Sequence, residues 1–399
     1  VAFVSQELLS IEHALALVLE RTHPLAAEDV ALEDAAGRVL HEPARAAVDL
    51  PPFAASAMDG FALRVADVPA TLPIGGRVAA GRPSERPLVS GEIMEISTGG
   101  VVPDGADAVV PIEDVVQVGD SVTIGSVGAG DNIRPQGGDL RVGDVVVPAG
   151  VRIGPAHIGA LAAAGVTTLR CARLPRAVVL VTGTELRAPG DTLSPGEIYD
   201  ANGFILATQL RSAGAVVERH PPVEDDAAAT RTAIERGLEA DILITTGGVS
   251  VGVHDLVRAT EAELGVEEVF WRVAMRPGKP VAFGVRGATL VFGLPGNPVS
   301  SLVAFELFVR PALLAMQGLA DPTPAFLPGR LGRPAGRAAA RDSLHRARTR
   351  VEGDAVMLDV LSGQESHMIA QAALADALVL VPRGDGDLAA GAPVRYLAL

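Results

Sequence analysis

Short segments of this chain combine glycine, proline and polar side chains in the way that anion-binding loops require. Thr245-Thr246-Gly247-Gly248-Val249-Ser250 follows an apolar run and precedes a helical pattern. Gly293-Leu294-Pro295-Gly296-Asn297-Pro298-Val299-Ser300 stands in the same relation to a longer helix. Glycines at such points let backbone N–H groups converge on a negative group at a helix N-terminus, and prolines keep the loop rigid before a ligand arrives. A two-glycine turn also serves as a plain strand–helix connection. Between the two lies Arg276-Pro277-Gly278-Lys279-Pro280, and Lys279 is the single lysine among 33 basic residues. Arginine meets every other need for positive charge, so a lysine kept here suits a compact charge against a phosphate or oxyanion. A lysine left by chance on an exposed loop would look the same. Another strand end, Thr182-Gly183-Thr184-Glu185-Leu186, adds a carboxylate.

Composition bounds what these loops serve. A length of 399 residues implies two to four domains. With 48% hydrophobic but only 3% aromatic residues, the cores must be built from Ala, Val and Leu. A net charge of −15 argues against a nucleic-acid partner, because phosphate backbones need a basic face. A local basic pocket for a small anion stays compatible with it. Cys171 is the single cysteine, which excludes a disulfide framework and a cysteine-based zinc or iron–sulfur site. That fits a reducing cytosol, and a cytoplasmic location is expected. The N-terminus lacks a targeting pattern, and the apolar stretch 153–169 is short and interrupted by Pro155 and His157, so no membrane association is expected.

The elements that must position the loops follow from periodicity. Residues 10–21 form an amphipathic helix with Ser10 as N-cap and Ile11, Ala14, Leu15, Val18 and Leu19 on one stripe. From about residue 44 to 140, short apolar runs broken by Gly, Pro and Asp predict a β-rich domain. Residues 155–164 give an Ala-rich helix between Pro155 and Gly165. From residue 176, continuous apolar runs at 177–181 and 241–245 alternate with helices at 202–213, 226–239, after 255 and at 298–317. Such alternation means a mostly parallel sheet covered by helices. A Pro/Gly/Ala/Arg stretch to residue 341 is expected to be a poorly specified loop, followed by a small β domain.

These segments, in this order, resemble the MoeA family of molybdenum cofactor biosynthesis proteins, equivalent to the C-terminal E domain of gephyrin. Further marks are Ser56-Ala57-Met58-Asp59-Gly60-Phe61, Glu95-Ile96-Ser97-Thr98-Gly99, Asn132-Ile133-Arg134, Tyr199-Asp200-Ala201-Asn202 and Ser366-His367-Met368. The resemblance covers essentially the whole chain. It implies an α/β multidomain fold: a central MogA-like α/β domain (176–322), a β-rich domain (44–140), a small discontinuous linking and dimerisation domain (1–43 and 141–175) and a C-terminal β-barrel-like domain (323–399). The implied activity is that of a molybdopterin molybdenumtransferase. Such an enzyme takes adenylylated molybdopterin and molybdate, cleaves the pyrophosphate with Mg²⁺, releases AMP and leaves molybdenum on the dithiolene sulfurs. The implied assembly is a homodimer, with a separate molybdopterin adenylyltransferase as a further partner.

Matched motif by motif, the resemblance assigns catalysis to Asp59, Thr98, Glu185 and Lys279, and metal binding to Asp225 and Asp255. Substrate contacts fall to Gly247, Gly248, Ser250, Pro295, Gly296, Asn297, Pro298, Arg134, Arg272 and Arg276. The family commonly carries lysine where Arg272 and Arg276 stand, so charge is kept there and geometry is not. Arg346 and Ser366 match positions associated with molybdate, with Arg348 or Arg350 as alternatives to Arg346. Two of these residues have plainer explanations as well. Asp225 precedes a helix, where acids act as caps, and Met58-Asp59-Gly60 could be a simple turn. The competing functions are molybdopterin adenylyltransferase, which needs only the α/β domain, and a gephyrin-like scaffold, which would need no catalytic acids or Lys279.

Overall fold

The helix Ile11–Glu20 starts where Ser10 accepts a hydrogen bond from the His13 amide at 3.1 Å. This computed structural model describes residues 8–224, 226–247 and 256–399. Ile11, Ala14 and Val18 of that helix are buried in the core of the central α/β domain, against Phe305 to Met316. By sequence position the helix was expected in the linking domain. Its apolar stripe instead packs on the α/β domain, and the linking core is left to Val30, Leu40, Val147, Leu161 and Cys171. Ala27–Ala31 pairs antiparallel with Thr168–Ala172 across that small core.

The β-rich domain holds a six-stranded sheet in the order Ala108–Pro111, Gly60–Leu63, Ile93–Ile96, Ala70–Val78, Ser121–Ile124 and Val116–Val118. A short pairing of Ala55–Ser56 with Ile133–Arg134 lies beside it.

The central sheet runs Val216–Arg219, Arg176–Val181, Ile242–Thr246, Thr289–Leu294, Ala282–Arg286 and Glu267–Trp271. The first four strands are parallel and the last two antiparallel. Val178, Leu180 and Leu243 face one helical layer while Val179, Ile242 and Ile244 face the other, as continuous apolar runs require. Residues 298–316 form one helical run, with a π turn at Phe305–Val309 just before Pro311, which has no amide to donate. The run is apolar enough to cross a membrane by length and composition, but 72% of it is buried inside the protein, as in a core helix.

The C-terminal residues close into a five-stranded barrel of Asp342–Glu352, Ala355–Val360, Leu327–Leu331, Pro393–Ala398 and Ala377–Val381. Leu327–Leu331 falls inside the stretch expected to be a loop. Its composition is poor in β-formers, yet Leu331 is fully buried and the strand pairs on both sides. Tertiary pairing overrides local propensity there.

Phe308 lies in the core of one helical layer, fully buried and 6.4 Å in an edge-on contact from Phe270. Phe308→Ala should cost about 3–5 kcal/mol in a denaturant-unfolding measurement.

Candidate functional site

Arg176–Val181, Ile242–Thr246 and Thr289–Leu294 lie side by side and parallel, so the loops that follow them share one edge of the sheet. Ligands bind open α/β sheets at this edge. A cavity of about 330 Å³ opens there, and Glu185, Gly247, Gly296, Asn297 and Pro298 all line it. Thr182, Tyr199, Asp200, Asn202, Thr246 and His367 complete its polar wall. A larger hollow of about 810 Å³ lies between the helices and the barrel, but none of the strand-end loops reaches it.

A buried knot of hydrogen bonds fixes the loops against each other. Asn202 Nδ2 donates to Thr246 Oγ1 at 3.0 Å and to the Gly296 carbonyl at 2.8 Å. Thr246 Oγ1 donates to the Pro295 carbonyl at 3.0 Å, and Ser301 Oγ donates to the same oxygen. Gly247 has φ +93°, and a Cβ there would sit 2.4 Å from the Thr182 carbonyl oxygen, so only glycine fits. Two buried oxygens at the cavity, Thr182 Oγ1 and Asn202 Oδ1, find no partner among the described residues. Buried polar atoms without partners are costly, and a bound ligand is one explanation for keeping them. Asp200 is fully buried, accepts from the Gly203 amide at 2.8 Å and meets Arg219 at 3.4 Å.

The barrel closes one side of the cavity through His367 and Ile369. Arg346 is 1% exposed, and its guanidinium donates to the carbonyls of Met368 at 2.7 Å, Gly363 at 2.5 Å and Glu365 at 3.1 Å. Burial pushes its pKa down, with the Glu365 charge opposing. The Arg346 fork, which the resemblance assigns to molybdate, is committed here to backbone carbonyls and shapes the loop. Arg348 is exposed, and Arg350 is paired with Asp359 and Glu352. Ser366 does not line the cavity; its carbonyl accepts the Val299 amide at 3.1 Å, tying the barrel loop to the start of helix Pro298–Ala304. The barrel side chains that reach the cavity are His367 and Ile369.

The cationic hairpin sits on the seam between domains. Met275–Arg276 pairs in parallel with Asp342 and Ser343 of the barrel. Arg276 lines a separate hollow of about 150 Å³ with Ser343, His345 and Gln364. His345 there is held below the usual histidine range by burial first and then by the charges of Arg276 and Arg346. Lys279 is exposed and its ammonium meets no carboxylate among the described residues. Arg272 adopts φ +80° and stacks its guanidinium 3.7 Å from the centre of the Trp271 ring. The planar fork that replaces a point charge is thus used for stacking, which lysine does less well.

Asp59, Thr98 and Arg134 do not line the cavity. They are exposed in the β-rich domain, where Asp59 Oδ1 accepts the Thr98 amide at 2.7 Å. Gly248, Ser250, Asp225 and Asp255 lie outside the described residues. Among the described residues no group of three acidic, histidine or cysteine side chains could hold a metal. The open donors of the cavity are oxygens, from Glu185, Thr182 and Asn202, the atom type that a hard divalent cation prefers. Asn202, Thr246 and His367 were quoted within motifs but given no role from the sequence, and the cavity brings them together.

Two substitutions separate these roles. Asn202→Leu strips two buried acceptors of their donor and should cost about 1–3 kcal/mol, with weakened ligand binding at the cavity by calorimetry. Arg346→Met should cost a similar amount, about 1.5–3 kcal/mol, in thermal or denaturant unfolding, because three carbonyls lose a charged donor.

Comparison with known proteins agrees with this geometry. Residues 9–165 match the MoeA N-terminal region (domain I and II), residues 178–315 a domain described as "Probable molybdopterin binding domain", and residues 324–399 the MoeA C-terminal region (domain IV). The chain is 36% identical to molybdopterin molybdenumtransferase 2 of Mycobacterium tuberculosis, over 92% of this chain and 93% of that one. It is 35% identical to the molybdopterin molybdenumtransferase of Synechococcus elongatus, over 98% of this chain and 100% of the relative. A crystal structure of the molybdopterin biosynthesis MoeA protein from Pyrococcus horikoshii OT3 superposes with a TM-score of 0.85 at 25% identity, covering 98% of this chain and 100% of that one. The chain belongs to the MoeA family of molybdenum cofactor biosynthesis proteins.

Proposed function

We propose that this chain is a molybdopterin molybdenumtransferase that takes adenylylated molybdopterin and molybdate, releases AMP and leaves molybdenum on the dithiolene sulfurs. The observation that carries this is the cavity at the strand ends, where two glycine loops meet under a fixed hydrogen-bond knot and a barrel loop closes one side. Its relatives carry the name of that activity.

The residues divide the work by type. Gly247 and Gly296 let the loop backbones approach a phosphate closely, and Thr182 and Asn202 offer oxygens to donor groups of the pterin or ribose. Lys279 and Arg276, on the seam, bring positive charge to substrates that are all anions. Mg²⁺, held by Asp225 and Asp255, would neutralise the pyrophosphate and polarise the phosphorus under attack. Glu185 stands at the cavity mouth as the described acid nearest in kind to that role. Asp59, Thr98 and Arg134 lie away from the cavity on the same chain, which supports a homodimer in which one subunit's β-rich domain completes its partner's site. The buried thiol of Cys171, pushed up in pKa by its burial, is consistent with a cytoplasmic protein. A separate adenylyltransferase would supply the substrate.

The test supplies adenylylated molybdopterin with Mg²⁺, with and without molybdate, and follows AMP. Molybdate-stimulated AMP release is expected; its absence would sink the transferase assignment. ATP-dependent adenylylation of free molybdopterin would favour the adenylyltransferase alternative instead. Lys279→Arg should keep the fold and slow AMP release by about 10–100-fold, because a planar fork cannot occupy the place of a compact ammonium.

A further inference from the structure

Among the described residues, no lysine or arginine lines the cavity that would receive anionic substrates. Glu185, Asp200 and Tyr199 line it, and His367 supplies the one imidazole among the described lining residues. Asp200 is already tied to Arg219, which leaves the Glu185 carboxylate without a cation among the described residues. We propose, building on the transferase assignment, that His367 is a catalytic proton donor: it protonates the molybdate oxygen that departs as molybdenum passes to the dithiolene sulfurs.

The placement supports more than a chance contact. His367 is delivered by a loop anchored at three points. Arg346 holds the carbonyls on both sides of it, the Ser366 carbonyl is bound by the Val299 amide, and the His367 carbonyl accepts the Ile369 amide at 2.9 Å. The backbone is fixed while the ring makes no hydrogen bond to any described residue and stays exposed. A rigid mount with a free functional group is what a proton donor needs. Charged and titratable groups facing it are few. Glu185, Tyr199 and Asp200 face it from the α/β domain, and Glu365 flanks it on its own loop. Arg346 lies beneath the loop, and helix Pro298–Ala304 brings no charge.

The step balances without a redox partner. Two Mo–S bonds form from two thiolates, one Mo–O bond breaks, and molybdenum stays hexavalent. The departing oxygen leaves as water and so takes two protons. The His367 imidazolium gives the first and solvent gives the second, after which solvent reprotonates the ring. Without a donor, the leaving group would be oxide or hydroxide, expelled beside the Glu185 carboxylate and an anionic substrate.

The experiment uses the full chain with adenylylated molybdopterin, Mg²⁺ and molybdate. It follows AMP release and molybdenum bound per pterin from about pH 5.5 to 9, the range that brackets an imidazole titration. For the wild type, the rate of molybdenum transfer should fall as pH rises through that titration. His367→Gln should lower the rate by about 100-fold and flatten this dependence, with affinity for adenylylated molybdopterin retained. Added imidazole should restore part of the rate to His367→Ala, which a merely structural loss would not allow. A His367→Gln variant with the wild-type rate and pH profile overturns the proposal, as does a change confined to affinity. Wild-type protein lacking molybdate-dependent AMP release at every pH would instead remove the transferase assignment itself, and this inference with it.

Discussion

The site depends on one buried arrangement: the amide of Asn202 donating at once to Thr246 and to the Gly296 carbonyl. Pro295 and Pro298 have no amides, so their loop cannot hold itself with its own ladder. Its carbonyls must find donors from outside, and Asn202, Thr246 and Ser301 supply them. The consequence is that loops from two strands and a helix start are locked as one unit before any ligand arrives. That preorganisation is worth more than any single contact, since a loop ordered in advance loses little entropy on binding. It also explains why the unpartnered Oδ1 of Asn202 is tolerated. The same side chain cannot turn to satisfy it without releasing both acceptors, Thr246 Oγ1 and the Gly296 carbonyl.

A second constraint joins the domains. The hairpin that carries Arg276 and Lys279 leaves the central sheet and becomes an edge partner of the barrel strand Asp342–Glu352. Its other end is set by Arg272 in the left-handed region, a conformation that costs about 1–3 kcal/mol for such a residue. The Trp271 stack and the hydrogen bond from the Arg272 amide to the Val281 carbonyl at 2.9 Å offset that strain. Charge on this hairpin is therefore placed by backbone geometry rather than by flexible reach. Arg346 does the corresponding work from the barrel side, through three carbonyls of one loop.

Much of this was legible in the sequence, for reasons that can be named. The strands at 177–181 and 241–245 are buried on both faces, so their apolar runs advertise them, and the glycines after them mark the binding edge. Leu327–Leu331 was not legible, because its order comes from partners distant in sequence and its own residues favour a loop. The edge strand Glu267–Trp271 also escaped, since its acidic start lacks the pattern of a buried strand. At the site, motif matching named loops that line the cavity, while two barrel side chains it named, Arg346 and Ser366, do not line it. Arg346 has the right type for an oxyanion, but burial decides whether a guanidinium meets a ligand or a carbonyl, and burial at one residue is not written in its neighbours.

The charge balance of the site follows from the same logic. A chain with net charge −15 must still hold several anions together, and it does so without a broad basic surface. Arg276 and Lys279 bring positive charge to the seam on the hairpin, while among the described residues the cavity itself is lined by carboxylates, neutral oxygens and His367. An acidic cavity repels a bare oxyanion unless a cation or a proton accompanies it. Entry of the substrate is thereby coupled to neutralisation, and it is the exposed ring of His367, not the buried fork of Arg346, that stands where such neutralisation is needed from the barrel side.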